Sequence, residues 1–152
     1  MKAFEAKNRQ ARFDYHIEDE CEAGLVLEGW EVKAILAGQA NFASGGAFIR
    51  LRGGEAWLEA MHVTPLKGTQ HGLLQEYNPV RARKLLLKRT ELAKLTRRVA
   101  ERGYTIVPLA LVQRRTLKLV IGLAKGKKQH DKRETVKQRD LAREEARDIA
   151  AR

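Results

Sequence analysis

Cysteine is almost missing from this chain: Cys21 stands alone among 152 residues. One thiol excludes an internal disulfide framework and any cysteine-built zinc site within a single chain, so the cytoplasm is the expected compartment. Serine is equally scarce. Ser44 is the only one, and it lacks the GxSxG setting of a nucleophile elbow. The histidines His16, His62, His71 and His130 are scattered, with no HExxH or comparable ligand spacing. Neither Gly45-Gly46 nor Gly53-Gly54 is followed by the lysine and hydroxyl of a phosphate-binding loop. No carboxylate pair stands out for acid–base work. An enzyme is therefore not expected, nor a cofactor or a bound metal. No run of about 18 apolar residues exists, and Met1 to Glu5 has no apolar core like that of a signal peptide, so no membrane association is expected.

Negative charge is the other shortage. Thirty Lys and Arg face 19 Asp and Glu, a net charge of +11 with a pI near 10.1. A surplus of that size implies a polyanionic partner. The positive charge concentrates in GLAKGKKQHDKR, Gly122 to Arg133. There an apolar strand-like stretch gives way to Lys125, Lys127 and Lys128, and His130 interrupts the run before Lys132 and Arg133. Flexible glycine backbone carrying cations around one planar ring suits a partner that offers phosphates and stackable bases, and RNA fits better than DNA.

Residues 1–124 read as one β-rich domain, and 125–152 as a basic tail. Phe13, Tyr15 and Ile17 alternate with polar residues as in a half-buried strand, and Ala23 to Glu28 reads as a second short strand closed by Gly29. Ala47 to Arg52, Gly53-Gly54 and Glu55 to His62 form the clearest hairpin, with Phe48, Trp57 and Met61 as core bulk. Thr105 to Val112 and Leu117 to Leu123 flank the turn 113–116 and make another, with Pro108 at an edge or bulge. Glu31 to Ala37 and Thr90 to Arg102 read as helices, the second capped by Thr90 and stopped by Gly103. Residues 64–80 show no period and read as a loop. Several short antiparallel strands with a helix or two suit a small barrel of the oligonucleotide-binding type, although a sandwich would show the same pattern. From Lys127 onward the only large apolar residues are Val136, Leu141 and Ile149. That is too little to dock a helix, so the tail is expected to be disordered alone and helical on a charged partner, or else a permanently solvated helix.

Other basic groups are candidates for RNA. Arg81, Arg83 and Lys84 precede Leu85 to Leu87, and alternation there would put charge on one side and apolar groups on the other. Arg97-Arg98 and Arg114-Arg115 read as ordinary solvated surface. Trp30 follows Gly29 at a junction where it would stack on a base if it were not packed in the core.

The segments NRQARFDYHIEDECEAGLVLEGWEVK (Asn8 to Lys33), AGQAN, RKLLL, GYTIVPL and GLAKGKKQHDKR, in this order, closely resemble the SsrA-binding protein family, SmpB, the protein partners of transfer-messenger RNA. The resemblance implies a mainly β fold: a six-stranded antiparallel barrel of the oligonucleotide-binding type, about three short helices and a disordered basic C-terminal tail. It implies a non-enzymatic role in trans-translation. Such a protein binds the tRNA-like domain of transfer-messenger RNA, promotes its alanylation, and delivers it with elongation factor Tu–GTP to a stalled ribosome. Alanyl-tRNA synthetase and elongation factor Tu are then partners through the RNA, and a monomer is expected. Carried over by position, Asn8, Arg9, Tyr15 and Glu22 lie in the motif associated with RNA binding. Leu86 lies in RKLLL beside Arg83 and Lys84, and Lys125, Lys127 and Lys128 form the basic junction. His130 takes the position that stacks on small-subunit rRNA at the decoding centre, with Asp131, Lys132 and Arg133 beside it; Arg133 and Lys137 begin the tail that enters the vacant mRNA channel. Leu36 and Gln39 stand where the family usually has basic residues. The same barrel and tail would also suit a general single-strand RNA-binding or ribosomal protein.

Overall fold

A computed structural model describes residues 4–42, 46–66, 78–101, 103–127, 133 and 137–143. In chain order its elements are β1 (Glu5–Lys7), α1 (Arg9–Asp14), β2 (Tyr15–Leu25), α2 (Gly29–Leu36) and β3 (Ala40–Asn41). There follow β4 (Phe48–Arg52), β5 (Glu55–Glu59), β6 (His62–Val63), β7 (Arg83–Leu86), α3 (Arg89–Val99), β8 (Tyr104–Gln113) and β9 (Leu117–Gly126). Six antiparallel strands close into a ring, β8-β4-β5-β7-β2-β9, because β9 pairs back onto β8. Closure leaves no open edge in that ring. The expected six-stranded barrel is therefore the observed one; β1 adds to the outer half of β8, and β3 with β6 forms a separate two-stranded ribbon.

Two bulges explain why β2 and β8 resist simple alternation. In β8 the register shifts between Pro108 and Ala110, so Leu109 is the extra residue. Ile106 and Leu111 both face the barrel core, although their numbers differ in parity; Val107 and Leu109 face outward, onto Ala11 of α1. Proline tolerates this position because the bulge removes a ladder bond it could not make. In β2 the shift falls between Ile17 and Asp19. Ile17 joins the outer cluster with Ala11, whereas Cys21, Ala23 and Leu25 pack on the core.

The bulges also place α1. Asn8 caps the helix by accepting a bond from Ala11 N at 3.3 Å, while its amide donates to Pro108 O at 2.8 Å. Its backbone N–H donates to Leu109 O at 2.7 Å. The expected strand through Phe13 is corrected: Phe13 lies in α1, and β2 starts only at Tyr15. Its period-2 appearance came from a helix of six residues, too short to show 3.6-residue spacing. Ala23 to Glu28 is likewise no separate strand. β2 runs on to Leu25, and Gly29 opens α2 instead of closing a strand.

Both hairpins form, but the second arm of the first stops at Glu59 instead of reaching His62, which lies in β6 and pairs with β3. Gly53 and Gly54 have φ of +59° and +76°, the left-handed pair a tight two-residue turn demands. Ala56 and Leu58 point inward from β5, so Trp57 and, from β4, Phe48 lie on the outer face; of the three residues expected in the core there, only Met61 is fully buried. Helix α3 starts after Lys88 without a side-chain cap, so Thr90 is not its N-cap; Leu92, Leu95 and Val99 pack on the core. Gly103 turns the chain with φ of +90°. Of the expected loop, residues 67–77 lie outside the described residues. So do Lys128, His130, Asp131 and Lys132 of the junction. Arg133 and residues 137–143 are helical and exposed, and the Arg139 guanidinium lies 5.6 Å from the centre of the Phe13 ring.

Candidate nucleic-acid interface

Because Asn8 clamps α1 to the β8 bulge, the chain on either side of it lines a shallow cleft of about 690 Å³. Lys7, Arg9, Arg12 and Arg114 bring cations there, and Glu5, Glu20 and Glu22 bring carboxylates. Arg12 pairs with Glu20 at 2.7 Å and Arg114 with Glu22 at 2.6 Å. The bond from Arg114 holds the Glu22 carboxyl below its ordinary value of 4.5, with the Arg114 and Lys118 charges adding to it. Glu22 therefore stays ionised and holds Arg114 in place. Among the described residues, Lys7 and Arg9 have no carboxylate partner, which leaves two cations able to meet phosphate. Asn8, Arg9 and Glu22 thus meet at one cleft, with Asn8 as the residue that positions and Arg9 as a free charge. Lys7 was missed from the sequence; its place just before the Asn8 cap was the available signal.

Tyr15 opens β2 opposite Gly126 and sits half-buried against the Ala11, Val107 and Leu109 cluster. With Asn8, Gln10 and Phe48 it lines a second depression of about 300 Å³. Leu86 is 54 % exposed at the end of β7. It lies across from Gly24, where a Cβ would meet Leu86 Cβ at 3.1 Å and Lys118 Nζ at 3.6 Å. The absent side chain at Gly24 lets an apolar leucine and a lysine share one patch. Lys84 also faces outward and bridges to Glu55 at 2.9 Å.

Arg83 does not join them, and its expected place on an RNA-facing side is corrected. It is fully buried, as is Glu31 of α2. Its guanidinium donates to the Glu31 carboxylate, to Met61 O at 2.8 Å, and to Arg81 O and Pro79 O at 3.1 Å each. Glu31 also accepts from the Glu28 N–H at 2.8 Å and from Arg81. Alternation accounts for this: Arg83 shares the inward face of β7 with Leu85.

At the root of the tail, Lys125 Nζ and Arg98 lie 5.7 and 4.9 Å from the centre of the Tyr104 ring. The Tyr104 hydroxyl donates to Glu18, the extra residue of the β2 bulge, at 3.0 Å, and Arg98 donates to the same carboxylate at 3.1 Å. Lys94 adds a bond to Asp19 at 2.7 Å and holds that carboxyl below its ordinary value. α3 is thereby tied to β2 beside the last strand. The Lys127 N–H donates to Asp14 O at 3.0 Å, which fastens the start of the tail beside α1.

Of the two tryptophans, only Trp57 departs from its expected place in the core. Trp30 packs against the core and donates its indole N–H to Glu28, whereas Trp57 stands outside the core cluster. Among the described residues no group of three His, Cys, Asp or Glu could hold a metal ion, and no helix is long and apolar enough to cross a membrane.

Comparison with known proteins gives a consistent answer. The family model described as SmpB protein matches residues 5–151. The SsrA-binding protein of Cupriavidus taiwanensis is 52% identical over 143 residues, covering 93% of each chain. That of Burkholderia thailandensis is 51% identical over 141 residues, covering 92% of this chain and 93% of its own. Among solved structures, a chain from one described as "tmRNA-SmpB: a journey to the center of the bacterial ribosome" superposes with a TM-score of 0.67. It is 38% identical and covers 87% of this chain and 94% of its own.

Proposed function

Since this chain belongs to the SmpB family, we propose that it is an RNA-binding protein of trans-translation, which binds transfer-messenger RNA and works with it on stalled ribosomes. The relatives are named for binding SsrA, and the matched solved chain comes from a structure whose description names tmRNA-SmpB and the bacterial ribosome. The barrel grips the tRNA-like domain, promotes its alanylation, and accompanies it with elongation factor Tu–GTP to a ribosome whose message has run out. Its body stands in for the anticodon stem that this RNA lacks.

One observation supports the reading most: among the described residues Lys7 and Arg9 sit unpaired in a cleft whose other cations, Arg12 and Arg114, are held by carboxylates. Free cations on a rigid wall meet phosphates without first breaking an ion pair, and held ones fix the shape of that wall. Leu86, with Lys118 and Lys84 near it, offers a second contact to the same RNA. Lys125, Lys127 and Lys128 then lead into a tail that needs an empty mRNA channel. There His130 stacks on rRNA, flanked by Asp131, Lys132 and Arg133, and Lys137 follows along the groove. An alternating-sign helix with basic excess lies along ribosomal RNA only where no message competes, so vacancy itself is the signal.

The test separates body from tail. A chain ending at Gly126 keeps most of its affinity for a tRNA-like-domain transcript and loses peptide tagging in a reconstituted translation system. Equal loss of both would overturn the division of labour, and a silent His130→Ala in the tagging assay would remove its stacking role.

A further inference from the structure

A tryptophan on the outer face of a strand, with no core to fill, calls for another account of its size. Trp57 lies on the outer side of β5 between Glu55 and Glu59, while Ala56 and Leu58 fill the barrel. The ladder sets Arg50 of β4 directly across from it on one side and Lys84 of β7 on the other. Among the described residues the Trp57 indole N–H makes no hydrogen bond, and Arg50 and Arg52 have no carboxylate partner. Lys84 neutralises Glu55 at 2.9 Å, and Arg50 leans over the Phe48 ring at 5.7 Å. Beside Trp57 the small side chain of Ala82 and the turn at Gly53 leave a depression of about 440 Å³, with Arg52 on its rim.

We propose that Trp57, between Arg50 and Lys84, is a stacking platform for an unpaired RNA base. An indole face accepts any base, and the unpaired Arg50 and Arg52 take the neighbouring phosphates while Lys84, held by Glu55, walls the other flank. Among the described residues Lys84 neutralises Glu55, so the unpaired Arg50 and Arg52 outnumber Glu59 around the indole, a balance that suits an RNA strand and is in keeping with the net charge of +11. The proposal rests on the chain binding RNA, but it adds a site. β5 is three strands from β9 in either direction around the ring, away from the cleft at Arg9 and Glu22.

A Trp30→Phe variant makes Trp57 the sole tryptophan. Titrated with a twelve-nucleotide oligouridine at moderate salt, its emission should be quenched, with the midpoint matching binding followed by fluorescence anisotropy of labelled RNA. In the full chain with Trp30 intact, Trp57→Ala should weaken oligouridine binding about 5- to 100-fold, and Trp57→Phe much less. Failure of the oligouridine to bind, no quenching at saturation, or wild-type affinity in Trp57→Ala would each overturn the platform. Arg9→Ala should weaken binding of a tRNA-like-domain transcript and leave the oligouridine quenching in place. Unchanged binding of the transcript in Arg9→Ala, with quenching retained, therefore counts against the cleft, not against Trp57.

Discussion

Replacing Glu31 with alanine removes the only carboxylate that Arg83 touches among the described residues. Both side chains are fully buried, and every arm of the guanidinium is committed to Glu31 or to the carbonyls of Met61, Arg81 and Pro79. Taking one partner from a buried pair leaves an uncompensated charge and costs about 3–5 kcal/mol. Loss of the capping box at the start of α2 acts on the same atoms, so the two costs overlap and do not add. For a domain of this size that corresponds to roughly 6–20 °C in Tm. Urea titration followed by tryptophan emission is the assay, since Trp30 sits on α2 beside the pair. Glu31→Leu with Arg83→Met should be less destabilised than either single change, because no charge is left buried.

The same pair makes a statement about pH. Burial pushes the Glu31 carboxyl up, but the Glu28 N–H and the guanidinium groups of Arg81 and Arg83 outweigh it and hold it below 4.5. A carboxyl depressed in the folded state contributes stability that is fully present above its unfolded value. That stability is lost as the pH falls through the folded one. Acid destabilisation below about pH 4.5 should therefore be shallower in Glu31→Gln than in the parent. A cost under 1 kcal/mol for Glu31→Ala, or an unchanged acid limb in Glu31→Gln, would refute the reasoning.

Other expectations follow from the same geometry. A Cβ at Gly122 would stand 2.7 Å from Leu109 Cδ1 and 2.9 Å from Ile17 Cγ2, between two buried or half-buried side chains under α1. Gly122→Ala should cost about 1–3 kcal/mol by denaturant titration, with no cost meaning that the outer cluster yields freely. Asn8→Ala removes the α1 cap and the bond to Pro108 O, so it should cost about 1 kcal/mol and weaken RNA binding through α1; an unchanged amide-exchange pattern in α1 would contradict that. Lys7→Ala and Arg9→Ala should each lower the slope of log affinity against log salt by about one unit, whereas a uniform loss with the slope intact would mean that neither meets a phosphate.

How far the sequence reaches depends on how local the cause is. The β4–β5 turn was legible because Gly53-Gly54 between alternating runs has few other conformations open to it, and β8–β9 because two long apolar runs flank a polar turn. Pro108 announced its bulge by lacking a donor. What the bulges did to side-chain direction was harder to read: after Glu18 and Leu109 the inward parity reverses, and in β2 no residue type marks the reversal. Arg83 was misread because its partner Glu31 lies 52 residues earlier in sequence. The signal that it shares a face with Leu85 was present all the same. Trp57 carried a comparable signal, since it shares parity with Glu55 and Glu59 and so belongs on the wet face. For the site, the motif residues Asn8, Arg9 and Glu22 were named from the sequence, but their meeting at one cleft depends on Asn8 reaching Pro108 across 100 residues. That bond is visible only in the fold.

The most direct test of the central reading is a salt-matched comparison of two affinities. The full chain is titrated with a tRNA-like-domain transcript and, separately, with an unstructured RNA of equal length. Tighter binding of the transcript, with that preference lost in Arg9→Ala, is what the account predicts. Equal affinity for both RNAs at every salt concentration would contradict it and leave a general RNA-binding barrel in its place.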